Sequence, residues 1–85
     1  MNFRVIWRRE AERRLTEIWL NNPTARAAIT MASDLIDHLL ASDPENAGES
    51  RPNGRRIRLS APLGVLFRVD SVAREVWVTT VWYFD

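Results

Sequence analysis

The apolar residues of this chain change their spacing twice, and those two changes constrain the fold more than any motif does. Residues 3–7 alternate, with Phe3, Val5 and Trp7 on one face and Arg4 and Ile6 on the other, which reads as a strand. From Glu10 the spacing becomes helical. Ala11, Leu15, Ile18 and Trp19 fall at i, i+4, i+7 and i+8, while Glu10, Glu12, Arg13, Arg14 and Glu17 take the outer side. Asn21-Asn22-Pro23 ends that helix, and Thr24 is a fair N-cap for a second, longer one. Its stripe is Ala28, Ala32, Leu35, Ile36, Leu39 and Leu40, and Asp43-Pro44 stops it. Helices joined by so short a turn are expected to form an antiparallel hairpin.

Residues 43–54 have loop chemistry throughout. Beyond them the alternation returns. Arg55–Ser60 is read with Ile57 and Leu59 inward and Arg56, Arg58 and Ser60 outward. Leu63–Asp70 sets Leu63, Val65, Phe67 and Val69 against Gly64, Leu66, Arg68 and Asp70. After a turn at 71–74, Val76, Val78, Thr80, Trp82 and Phe84 alternate with Trp77, Thr79, Val81, Tyr83 and Asp85. Short turns between these three runs predict an antiparallel meander. The expected architecture is α+β, in the order β-α-α-β-β-β: an antiparallel sheet with a helical hairpin on one face, as one domain over residues 1–85. The open face is expected to carry Arg56, Arg58, Arg68, Asp70, Thr79, Tyr83 and Trp77.

Composition removes several classes of function. With no cysteine and one histidine there is no disulfide, no thiolate nucleophile and little from which to build a zinc site. The three glycines are too sparse for a phosphate-cradling loop. His38 lies mid-helix, off the apolar stripe, and reads as a surface residue rather than a triad member. No apolar run approaches membrane-spanning length and no secretory leader stands at the start, so a soluble, cytoplasmic domain without metal or cofactor is expected.

All twelve Lys+Arg positions are arginine, on a formal net charge of only +1. A GC-rich genome accounts for the missing lysines but not for where the arginines stand. A row of guanidinium forks on one sheet face suits phosphate or an acidic partner. Tyr83 and Trp77 beside them would offer stacking for an unpaired base. A solvated face paired with Asp70 and Glu75 accounts for the same alternation.

The element order, the opening Phe3-Arg-Val-Ile-Trp with Ala11-Glu-Arg-Arg-Leu-Thr-Glu-Ile18, and the blocks Gly54-Arg-Arg-Ile-Arg-Leu59 and Val65-Leu-Phe-Arg-Val69 resemble the RelE/ParE superfamily. These are small toxins of bacterial type II toxin–antitoxin modules. The resemblance implies a cognate antitoxin as partner and one of two activities. RelE-like members cut mRNA on the ribosome without metal; ParE-like members bind DNA gyrase and need no catalytic set. A degenerate toxin that keeps only antitoxin binding is a third possibility. In the nuclease branch, Arg56 and Arg58 match positions that hold the scissile phosphate. Arg68 would support the developing charge, Tyr83 would stack or move a proton, and Glu49 or Asp85 would be the base. Arginine stays protonated and cannot serve as that base. The chain departs from the pattern at Gly64, where relatives carry an arginine, and at Phe84, where a histidine is lost.

Overall fold

A computed structural model describes residues 2–85. Strand β1 (Arg4–Trp7) leads into helix α1 (Arg9–Asn21), a short 3-10 turn, and helix α2 (Arg26–Ser42). Strands β2 (Glu49–Arg51), β3 (Arg55–Ser60), β4 (Leu63–Asp70) and β5 (Glu75–Tyr83) follow. They form one five-stranded sheet in the order β1-β5-β4-β3-β2. The three C-terminal strands are the expected antiparallel meander. β1 joins it parallel to β5, so the sheet is mixed rather than wholly antiparallel.

The helices cover one sheet face. Their core consists of Ala11 and Ile18 from α1, Ile29, Ala32, Ile36 and Leu40 from α2, and Leu63, Val65, Phe67, Val76, Val78 and Val81 from the sheet. The α2 stripe is rotated from the expected one: Ile29 is buried, whereas Ala28 and Leu35 are exposed. Trp19 lies on the rim of α1, with the Arg26 guanidinium 4.2 Å from its ring centroid. Both helix stops fall where expected. Asn22 donates its side-chain amide to the Ile18 carbonyl at 2.8 Å, and the Asp43 N–H caps the Leu39 carbonyl at 3.0 Å. Thr24 is not a cap, because the 3-10 turn Pro23–Ala25 intervenes and α2 begins without a side-chain cap.

β1 is tied to α2 by two polar links. The Phe3 N–H donates to the Ala41 carbonyl at 2.7 Å, and the Trp7 indole N–H donates to Asp37 Oδ1 at 2.7 Å. Loss of water around the Asp37 carboxylate pushes its pKa above the usual 3.8; the Trp7 hydrogen bond opposes this, and nearby Asp34 adds to it.

Two local features decide which side chains reach which face. The first is β2, in the segment expected to be loop. Pro52–Gly54 turns the chain with Asn53 and Gly54 at φ 66° and 72°, left-handed values that asparagine and glycine accept, and Glu49–Arg51 pairs with β3. The second is a β-bulge in β5. Phe67 stands opposite Val78 but Leu66 stands opposite Thr80, so Thr79 is an extra residue. Its hydroxyl donates to the Leu66 carbonyl at 3.2 Å. The bulge resets the alternation: Val76 and Val78 face the helices before it, Val81 and Tyr83 after it.

Candidate functional site

The register moves three predicted site residues off the open face. Ala61-Pro62 is a two-residue connection, so Ser60 stands opposite Leu63, Arg58 opposite Val65 and Arg56 opposite Phe67. Cross-strand partners share a face. Arg56 and Arg58 therefore lie on the helix side and not on the open face, Arg56 between β2 and β4 and Arg58 just beyond the end of β2. Arg68 alone of the three is on the open face, paired with Arg55. Tyr83 is also on the helix side, half-buried against the core, because the Thr79 bulge turned it there. Asp85 is exposed beyond the end of β5. It does not join the arginines, since Leu63 opposite Tyr83 puts it at the far end of β4 from Arg68.

The guanidinium groups of Arg56 and Arg58 hold down the segment that leads into β2. Arg56 Nη1 donates to the Gly48 carbonyl at 3.2 Å. Arg58 donates through Nη1 to the Ala47 carbonyl at 3.4 Å and through Nε to Ser60 Oγ at 3.1 Å. Gly48 passes so close to β3 that a Cβ there would sit 2.4 Å from the Ile57 carbonyl oxygen. These contacts leave several of the ten guanidinium N–H groups free for a ligand.

The arrangement brings Glu49 and Arg58 to one cleft of about 410 Å³, lined also by Asn46, Ala47, Arg51 and Leu59. Arg56 stands behind its Gly48 wall. Arg51 is a member the sequence reading missed. The Asn53-Gly54 turn was the available signal, because a hairpin there places Arg51 directly opposite Arg55. The cleft is thus lined by one carboxylate, a proton acceptor, and two permanent cations. Glu49 Oε2 is 4.0 Å from Arg51 Nη2.

The open face carries a different set. Gly64 lies under the Trp82 indole: a Cβ at Gly64 would meet Trp82 ring atoms at 2.4–2.6 Å. Trp77 stands in register with Arg68, and the Arg8 guanidinium is 5.9 Å from its ring centroid. Leu59 and Leu66 add apolar surface, Leu59 being 57% exposed. Among the described residues no group of His, Cys, Asp and Glu is placed to hold a metal ion, and no helix is long and apolar enough to cross a membrane.

No protein-family model matches the chain, and no curated protein matches it significantly in sequence. Solved structures do match. A chain of the toxin–antitoxin complex RelBE2 from Mycobacterium tuberculosis superposes with a TM-score of 0.76 at 20% identity, over 98% of this chain and 92% of that one. A chain of the chromosomal ParDE toxin–antitoxin system from P. aeruginosa does so with a TM-score of 0.76 at 21% identity, over 98% and 97%. The fold is therefore that of the RelE/ParE toxins.

Proposed function

We propose that the chain is the toxin of a type II toxin–antitoxin module and cuts mRNA on the ribosome from the Glu49–Arg58 cleft. The toxin reading is supported by the fold shared with RelBE2 and ParDE chains along nearly the whole length. The cutting reading rests on one observation: of the two predicted bases, Glu49 alone shares a cleft with a predicted phosphate-holding arginine, Arg58. Glu49 takes the proton of a ribose 2′-hydroxyl, and the 2′-oxygen attacks phosphorus. Arg58 and Arg51 stabilise the charge on the phosphoryl oxygens. The bond to the 5′-oxygen breaks, a cyclic phosphate forms, and the departing oxygen takes its proton from water. Tyr83 and Asp85 lie outside this set, and Arg56 acts on it through Gly48.

A specific observation also favours the gyrase-binding reading. The likeness to the ParDE chain equals that to the RelBE2 chain, and that activity needs no convergent acid and base.

For either activity an antitoxin is the expected partner, and a surface suited to one is present. β2 pairs with β3 only as far as Ile57, which leaves the outer edge at 58–60 without a strand partner among the described residues. Beside it runs a groove of about 370 Å³ lined by Ala28, Met31, Leu35, Arg58 and Leu59. Met31 is 72% exposed. An added strand with apolar and acidic side chains would satisfy the edge, the groove and Arg58 together. The test of activity is a purified translation system run beside a gyrase supercoiling assay. Cleavage of mRNA in the ribosomal A site supports the enzyme; intact mRNA with blocked supercoiling refutes it.

A further inference from the structure

Three arginines stand side by side across the open face. Arg51 on β2 is opposite Arg55 on β3, which is opposite Arg68 on β4, and the row continues to Trp77 on β5. With strands about 4.8 Å apart, the three side chains start within about 10 Å of one another. Like charges directly opposite cost a sheet stability, so the row is not explained by folding. The facing carboxylates only partly balance it. Glu75 is engaged by Arg4 at 2.5 Å, Asp70 accepts the Ala73 N–H at 3.0 Å, and Glu49 touches only Arg51, at 4.0 Å. Arg55 Nε donates to the Pro52 carbonyl at 3.2 Å, which points it along the row's turn end. Arg68 is exposed and has no ion-pair partner among the described residues.

We propose that this row, with Trp77 and Trp82, is a binding track for an unpaired nucleic-acid strand that crosses the open face and meets the Glu49–Arg58 cleft at Arg51. The arginines hold successive phosphates, and the two half-exposed indoles, roughly 15 Å apart along β5, stack on bases. Arg8 above Trp77 adds a fourth cation. An acidic protein segment would satisfy the arginines but leave the indoles unused, and this favours nucleic acid. The proposal rests on the RNA-directed reading for the identity of the strand, although binding itself needs no cut.

The test is fluorescence anisotropy of labelled single-stranded 12-mers, RNA and DNA, titrated with the full chain and with its variants. Three phosphate contacts predict an affinity loss of about twentyfold between 50 and 200 mM salt. The Arg55→Glu/Arg68→Glu variant is expected to bind at least tenfold more weakly, with a flatter salt dependence. Arg13→Glu/Arg14→Glu, on the outer side of α1, makes the same charge change and is expected to bind like the parent. Equal losses in both variants would overturn the track, as general charge would then explain binding. Polyglutamate competing as well as RNA, with the same dependence on Arg55 and Arg68, would overturn it in favour of an acidic protein surface. Glu49→Gln separates the two sites. If that variant and the parent both bind through Arg55 and Arg68 yet the parent cuts nothing, the cleavage reading fails and the track stands. If the parent cuts but binding ignores Arg55 and Arg68, the track fails alone.

Discussion

Gly64 and Trp82 illustrate how one residue can be dictated by another. The indole occupies the space any Cβ at position 64 would need, so the open face presents an aromatic ring there and no side chain from β4. Gly64→Ala is expected to cost about 1–3 kcal/mol in chemical denaturation, because a ring rather than a flexible chain end must move. Removing the ring as well, in Gly64→Ala/Trp82→Ala, should recover part of that loss, a coupling a double-mutant cycle reads directly. Asp37 makes a second prediction at this scale. Its folded-state pKa is raised, so the folded chain binds its proton more tightly than the unfolded chain does. Stability is therefore gained as pH falls through the folded pKa, and the penalty is fully present above it. Asp37→Asn keeps an acceptor for the Trp7 indole and removes the charge. Its melting temperature should exceed the parent's at pH 7, and the gap should close as pH falls toward 3.8 and below.

At the scale of elements, helix positions and the C-terminal meander were legible because long apolar stripes and short turns leave few alternatives. The faces of β3 and the end of β5 were not. Ile57 and Leu59 suggested an inward face by hydrophobicity, but the Ala61-Pro62 connection fixes the parity of β3 against Leu63, Val65 and Phe67, which are fully buried. Counting across that turn, rather than reading β3 alone, would have sent Arg56 and Arg58 to the helix side. The bulge had a signal too, in the three-residue step from Val78 to Val81, which strict alternation cannot bury on one face. β2 had almost none: Glu49-Ser50-Arg51 is polar throughout, and pairing alone makes it a strand. Deleting Thr79 should restore simple alternation with Val81 and Tyr83 still on the helix side, since Val81 then follows Val78 by two residues. The variant should keep cooperative thermal unfolding and lose little more than the Thr79 hydroxyl bond to the Leu66 carbonyl, about 0.5–1.5 kcal/mol.

At the scale of the whole molecule, the fold divides its arginines between two tasks. Arg56 and Arg58 fasten the Ala47–Gly48 segment to the sheet edge and so shape the cleft; Arg51, Arg55 and Arg68 line the open face. The candidate catalytic set read from sequence is thereby reduced to Glu49 and Arg58, joined by Arg51, with Tyr83 and Asp85 elsewhere. Arg58→Ala should lower cleavage by a hundredfold or more if it stabilises the phosphoryl charge. It should also loosen Ala47, which limited proteolysis near residues 46–48 would report. The most direct measurement of the central claim compares the parent with Glu49→Gln in a purified translation system, scoring mRNA ends in the ribosomal A site. Cleavage by the parent that falls a hundredfold or more in Glu49→Gln, with the melting temperature unchanged, is the predicted result. Undiminished cleavage by Glu49→Gln would contradict it, as would mRNA left intact by the parent.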